Sequence, residues 1–127
     1  MKITLPIHHT QEFRTKKSKT FLVGMNWYRN CHYLVSNKVK DHYHELVKEQ
    51  VGDKKFNKIK LNYRVYVARN GTDGHNIRSV IEKFFLDGLV EMGAIKDDNT
   101  QDYVMGDTTS YYLDKENPRI DIEIIEV

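Results

Sequence analysis

The pattern of apolar and polar positions divides the chain into a small number of elements. Residues 2–7 (Lys2, Ile3, Thr4, Leu5, Pro6, Ile7) alternate with period two, as a half-buried strand does. Pro6 cannot donate to a ladder, so it predicts a sheet edge or the strand's end. Residues 8–24 show no sustained periodicity and mix His8 and His9 with Arg14, Lys16, Lys17 and Lys19, which reads as a mobile basic loop. From about Trp27 to Gln50 there is no Gly or Pro, and Tyr28, Cys31, Leu34, Val35, Val39, Tyr43, Leu46 and Val47 recur at three- and four-residue intervals. This spacing predicts one long amphipathic helix, stopped by Gly52 and Asp53.

Residues 58–67 alternate most cleanly, with Ile59, Leu61, Tyr63, Val65 and Val67 on one side, and predict a strand. The segment from Arg69 to His75 carries two glycines, an Asn and an Asp, so it turns. Ile77, Val80, Ile81, Phe84, Phe85, Leu89 and Met92 then form a helical stripe, which Gly93 suits as a left-handed C-terminal cap. An acidic turn follows (Lys96, Asp97, Asp98, Asn99), then short strand candidates at 102–104 and 110–113. Residues 119–127 alternate through Ile120, Ile122 and Ile124 and slip phase at Ile125, which predicts a bulge or a strand end. This order predicts an α+β fold: a small mixed β-sheet with two main helices packed on one face, in a single domain spanning residues 1–127.

Composition narrows the class. With 39% hydrophobic and 30% charged residues the chain has the balance of a globular protein, and no apolar run approaches the roughly 18 residues of a membrane span. The first residues lack the basic and continuously apolar regions of a secretory leader, so a cytoplasmic location and no membrane partner are expected. Cys31 is the single cysteine; it cannot form an intrachain disulfide and is expected to be a small buried hydrophobe. The net charge of +2 hides an asymmetry: residues 1–70 hold 15 Lys/Arg and 5 Asp/Glu, whereas residues 71–127 hold 5 and 13. A basic half beside an acidic half suits a protein that grips phosphates with one part and holds divalent cations with the other; equally, the halves could neutralise each other across the fold.

Several constellations are excluded. His42 and His44, two apart on a helix, point in opposed directions and are assigned to the surface. One cysteine gives no zinc-finger spacing, and no phosphate-cradling G-x-x-x-x-G-K-[ST] loop is present. Arg14, Lys16, Lys17, Lys19 and Arg29, with Trp27 and Tyr28, read either as phosphate binding with stacking on an unpaired base, or as a solvated loop beside core aromatics.

The stretch Lys83-Phe84-Phe85-Leu86-Asp87-Gly88-Leu89, then Met92-Gly93-Ala94-Ile95, then Lys96-Asp97-Asp98, resembles the K-x3-D-x-L…G-hydrophobic-hydrophobic-x-DD signature of the RusA-like family of Holliday-junction resolvases from phages and prophages. The first strand ending in Pro and the run Met25-Asn26-Trp27-Tyr28-Arg29 extend the resemblance over nearly the whole chain in order. It implies a dimeric α/β endodeoxyribonuclease that cuts branched DNA during recombination and repair, using Mg²⁺ held by aspartates, in an intracellular, phage-encoded setting in a bacterial host. By that resemblance Asp98, with Asp97, matches the DD turn and Lys83 the helix lysine. A hard cation with oxygen ligands polarises phosphoryl oxygens and acidifies the attacking water, and a lysine offsets transition-state charge.

The family's D-x-D-N motif finds its nearest match in Asp73-Gly74-His75-Asn76, and the match departs in two ways. His75 replaces the second aspartate, a substitution that would favour Mn²⁺ or another transition metal over Mg²⁺. Asn76 lies seven residues before Lys83, four more than the family spacing, while Ile77 and Ser79 occupy the strict-spacing aspartate positions. If the extra residues are helical, they shift Asp73 and His75 by about 6 Å; if they enlarge the loop, Asp73 can fold back toward Asp98. Asp73 is equally suited to be a helix N-cap, and His75 an exposed loop residue. The sequence thus supports a divalent-metal-dependent nuclease of branched DNA, expected to be a homodimer because a four-way junction offers two symmetry-related strands. The alternative is a RusA-like fold impaired in catalysis that acts as a DNA-binding or protein-interaction module, such as a phage regulator.

Overall fold

The computed structural model describes residues 1–12, 17–100 and 102–127. The fold is α+β. Four strands, β1 (Lys2–Leu5), β4 (Ile59–Val67), β5 (Val104–Leu113) and β6 (Arg119–Glu126), form a mixed sheet in the order β1-β6-β4-β5. β6 is antiparallel to both β1 and β4, and β4 is parallel to β5. A parallel pair needs a crossover, and α3 (Gly74–Glu91) supplies it.

The alternation read in residues 58–67 is the sheet's sidedness. Ile59, Leu61, Tyr63, Val65 and Val67 are buried, together with Ile3, Leu5, Ile120, Ile122 and Ile124. Over this face lie α3 and α2 (Tyr33–Val51), α3 against β4 and α2 against β1. α2 contributes Val39, Tyr43, Val47 and Val51 at four-residue steps, and α3 contributes Ile77, Val80, Ile81, Phe84, Phe85 and Leu89. The helices meet closely at Gly88, where an added Cβ would stand 3.1 Å from the His44 ring. His44 is therefore half-buried between the helices rather than on the surface, its Nδ1 2.7 Å from Glu91 Oε2. Gly93, with φ +78°, is the left-handed residue that ends α3, and Ala94 N–H donates back to Leu89 O.

Several expectations are corrected. Residues 8–24 are not all loop: β2 (His8–Glu12) and β3 (Ser18–Leu22) pair as an antiparallel ribbon. The single long helix is two, α1 (Met25–Asn30) and α2, because Cys31 and His32 adopt extended backbone and the His32 ring caps α2 by accepting from Leu34 N–H at 3.2 Å. The candidates at 102–104 and 110–113 become one strand, β5, which starts only at Val104, Asp102 and Tyr103 belonging to the preceding turn. Its register slips between Ile59 and Leu61 of β4, so the bulge lies there and not in β6, where Ile125 marks only the approach of the strand's end. Cys31 is half-buried rather than a core residue. No helix of the described residues is long and apolar enough to cross a membrane.

Candidate functional site

The sequence points to residues at the two ends of α3, and the fold keeps those ends apart. Asp73 is the N-cap: its Oδ1 accepts from the backbone N–H of His75 at 3.1 Å and of Asn76 at 3.3 Å. Two otherwise orphaned helix donors are satisfied in this way. His75 is exposed, with Nδ1 3.5 Å from the Tyr111 hydroxyl of β5. Gly74 between them is pressed under that ring; a Cβ there would stand 2.5 Å from Tyr111 Cδ1.

All residues from Gly74 to Lys83 are helical, so the extra residues of the motif extend the helix rather than a loop. At 1.5 Å per residue Asp73 lies about 15 Å along the axis from Lys83 and about 21 Å from Asp87. The sheet gives the same separation. Asp73 follows the C-terminal end of β4, whereas the Asp97–Asp98 turn precedes Val104, which pairs with Ile59 at the other end of that strand. Asp73 and His75 therefore do not join Asp97 and Asp98, and the reason to expect Mn²⁺ from a histidine ligand falls away. Ile77 is buried and Ser79 Oγ donates to His75 O at 2.9 Å, so the strict-spacing positions supply no charged oxygen.

At the other end, three acidic residues come into electrostatic range. Asp97 Oδ1 accepts from Asp98 N–H at 2.7 Å, and that backbone bond, reinforced by the Asp98 side chain, holds the Asp97 carboxyl below its ordinary range. Asp98 is shifted upward, first by burial, then by the hydrogen bond with Asp97 and the charges of Asp97 and Asp87. Asn99 braces the turn: its side-chain oxygen accepts from Asp102 N–H at 2.8 Å, and its carbonyl accepts from Tyr103 and Val104. Lys83 is exposed one helical turn before Asp87, its Nζ 5.3 Å from the Tyr28 ring centroid. Among the described residues no three His, Cys, Asp or Glu side chains converge as a ready-made metal cage.

The candidate nucleic-acid residues lie on the ribbon and α1. Lys17, Lys19 and Arg29 are exposed; Arg14 and Lys16 lie outside the described residues. Trp27 is stacked on Phe21 with centroids 4.9 Å apart, and Trp27 and Tyr28 both meet Phe84 edge-on. These aromatics thus serve in part to seat α1 and the ribbon against α3. Phe21 and Trp27 also wall a groove of about 500 Å³ whose lining includes Lys19, Asn26, Asn30 and His32. Asn26 and Trp27 also line a cavity with Asp73, Asn76 and Ile77 at the start of α3, and Tyr28 places α1 beside Lys83 farther along that helix.

One polar group had no single-residue signal in the sequence. Arg78 lies 2.6 Å from Glu82 and 2.7 Å from Asp107, over the buried Tyr63 ring at 4.9 Å. Burial raises the Glu82 carboxyl above its ordinary range, and the Arg78 charge opposes that shift. The Arg78–Glu82 pair at i, i+4 is visible in the sequence, but Asp107 reaches it only through the β4–β5 pairing.

The chain matches no model of a known protein family and no curated protein.

Proposed function

We propose that the chain is a RusA-like endodeoxyribonuclease of branched DNA, working as a homodimer, with its reacting centre at the Asp97–Asp98 end of α3. The observation that carries this reading is the Asp97–Asp98 turn, in which Asp97 Oδ1 accepts from Asp98 N–H at 2.7 Å within reach of the Asp87 charge, with Lys83 one helical turn before Asp87 and in contact with Tyr28. The chain thus carries both an aromatic-walled groove with Lys19 in its lining and an acidic turn, the two features a protein needs if it grips a phosphate backbone with one part and holds a hard cation with another.

The acidic set fits Mg²⁺ in donor chemistry, because that ion commonly takes one or two carboxylates and completes its shell with waters and substrate phosphates. Asp98 and Asp87 would hold it, with Asp97 fixing the turn; when bound, the ion polarises the phosphoryl group and acidifies the attacking water. A cation at Asp98 would also relieve that part of its upward shift that comes from the charges of Asp97 and Asp87, which is smaller than the part due to burial. Lys83 supplies a point charge for the developing negative charge on the phosphoryl oxygens. Lys17, Lys19 and Arg29 position the backbone without reading sequence, and the groove beside Trp27 accepts an unpaired base at a branch point.

A second reading has its own support. Asp73, the match to a family ligand, is engaged as a helix cap far from Asp98, which favours a RusA-like module that binds branched DNA, or a protein partner as a phage regulator, without cutting. Cleavage and binding of a labelled four-way junction in Mg²⁺, measured on one preparation, separate the two. Symmetric nicking supports the nuclease; tight binding with intact DNA supports the module.

A further inference from the structure

We infer that the outer edge of β5 is the surface on which a second copy of this chain docks, by antiparallel pairing of β5 with itself. This assigns an interface to the proposed homodimer. It stands on the strand's own chemistry, so dimerisation and cleavage can fail separately.

β5 is an edge strand: β4 occupies one side, and among the described residues nothing pairs with the other. Edges of this length are normally blunted with lysine, proline, a bulge or a covering element. The bulge opposite Ile59–Leu61 disturbs only the beginning of the strand, and from Asp107 to Leu113 the pairing with β4 is one to one. That regular stretch contains no Lys, Arg or Pro. Its one charge, Asp107, is neutralised by Arg78 at 2.7 Å. Tyr111, Tyr112 and Leu113 are nevertheless about half exposed, at 48%, 46% and 58%.

The segment is also self-complementary. In an antiparallel pair related by a two-fold axis normal to the sheet, a central residue faces its own copy, and opposed side chains share one side. Centring the regular stretch on Ser110 sets Tyr111 opposite the partner's Thr109 on the helix side, and Tyr112 opposite the partner's Thr108 on the open side. Aromatic–β-branched pairs of this kind are among the favourable cross-strand combinations. The two Asp107 carboxylates fall six residues apart along the ladder, about 20 Å, so no like charges meet. The result is a continuous eight-stranded sheet with both sets of helices on one face. Its two Asp97–Asp98 turns are related by the two-fold axis, as two symmetry-related scissile strands require.

Sedimentation at micromolar concentration tests the assignment. The wild type should sediment as twice the 15.0 kDa chain, and Ser110→Lys, which sets two ammonium groups against each other at an exposed position, should sediment as a monomer with unchanged circular dichroism. In a Cys31→Ser background, Ser110→Cys should form an interchain disulfide on mild oxidation, while Thr108→Cys, which faces the partner's Tyr112, should not. A monomeric wild type, a dimer indifferent to Ser110→Lys, or crosslinking that favours Thr108→Cys would overturn the β5 interface. The crosslinking comparison also decides the matter if the lysine variant fails to fold.

Discussion

Asp73 and Asp98 lie beyond opposite ends of the same helix, too far apart to share a site. Eighteen residues of α3 lie between Asp73 and the end of the helix, about 27 Å, and the Asp73 carboxylate already caps two backbone donors. One residue is built into the helix start, and the other sits in an acidic turn next to a lysine-bearing helix face. Their substitutions should therefore have different consequences.

Asp73→Ala should lower stability by about 1 kcal/mol, the usual cost of losing an Asp N-cap. Chemical denaturation reads this as a lower midpoint with an unchanged m-value. Asp73→Ser, which keeps a capping oxygen, should recover most of the loss. Equal losses for both variants would mean that the cap is not what Asp73 contributes.

Gly74 has no room for a side chain because of Tyr111. Gly74→Ala should destabilise by about 1–3 kcal/mol, the range for overpacking. Adding Tyr111→Ala should restore part of that loss in a double-mutant cycle. Additive losses in thermal denaturation would show that the ring simply swings aside.

The ribbon docks on α2 partly through His9 and His42, whose ring centroids are 5.0 Å apart. Burial and the neighbouring His9 lower the pKa of His42, while Glu49 opposes them. The folded state thus binds the His42 proton less readily than the unfolded chain. Its contribution is fully present above about pH 6.5 and is lost as pH falls from there through the depressed folded value. The melting temperature should drop between neutral and mildly acidic pH, and His42→Gln should show a smaller drop. An unchanged pH profile in the variant would remove His42 as the cause.

If Lys17, Lys19 and Arg29 contact phosphates, junction affinity should fall steeply with salt. Each alanine substitution should then reduce the slope of log K against log salt by roughly one, with little dependence on DNA sequence. Binding titrations at several salt concentrations measure this directly. Slopes identical to wild type would place the DNA elsewhere on the surface.

Much of this organisation is written locally and could be read without a structure. β4 announces its buried face because it lies inside the sheet with helices on one side, so alternate residues have opposite environments. Asp97, Asp98 and Lys83 stand out only through the resemblance of residues 83–98 to the RusA-like signature, since turn and helix signals alone mark a solvated turn and a surface lysine. In the sequence β5 shows only as two fragments, because an edge strand is exposed on both faces and its bulge breaks the alternation. The break between α1 and α2 carries no Gly or Pro; it depends on the His32 ring reaching the Leu34 N–H, which spacing does not reveal. The position of Asp73 relative to Asp98 depended on whether four extra residues lengthen a loop or a helix. Only the continuity of α3 from Gly74 through Lys83 decides that question.

The most direct test of the central claim is cleavage of a labelled four-way junction in Mg²⁺ by wild type, Asp98→Asn and Asp73→Asn, with binding of the same DNA measured in parallel. The account predicts symmetric nicking by wild type, loss of nicking with retained binding for Asp98→Asn, and nicking by Asp73→Asn wherever that variant is folded. Intact DNA with the wild type, or cleavage that survives Asp98→Asn and disappears with a folded Asp73→Asn, would contradict it.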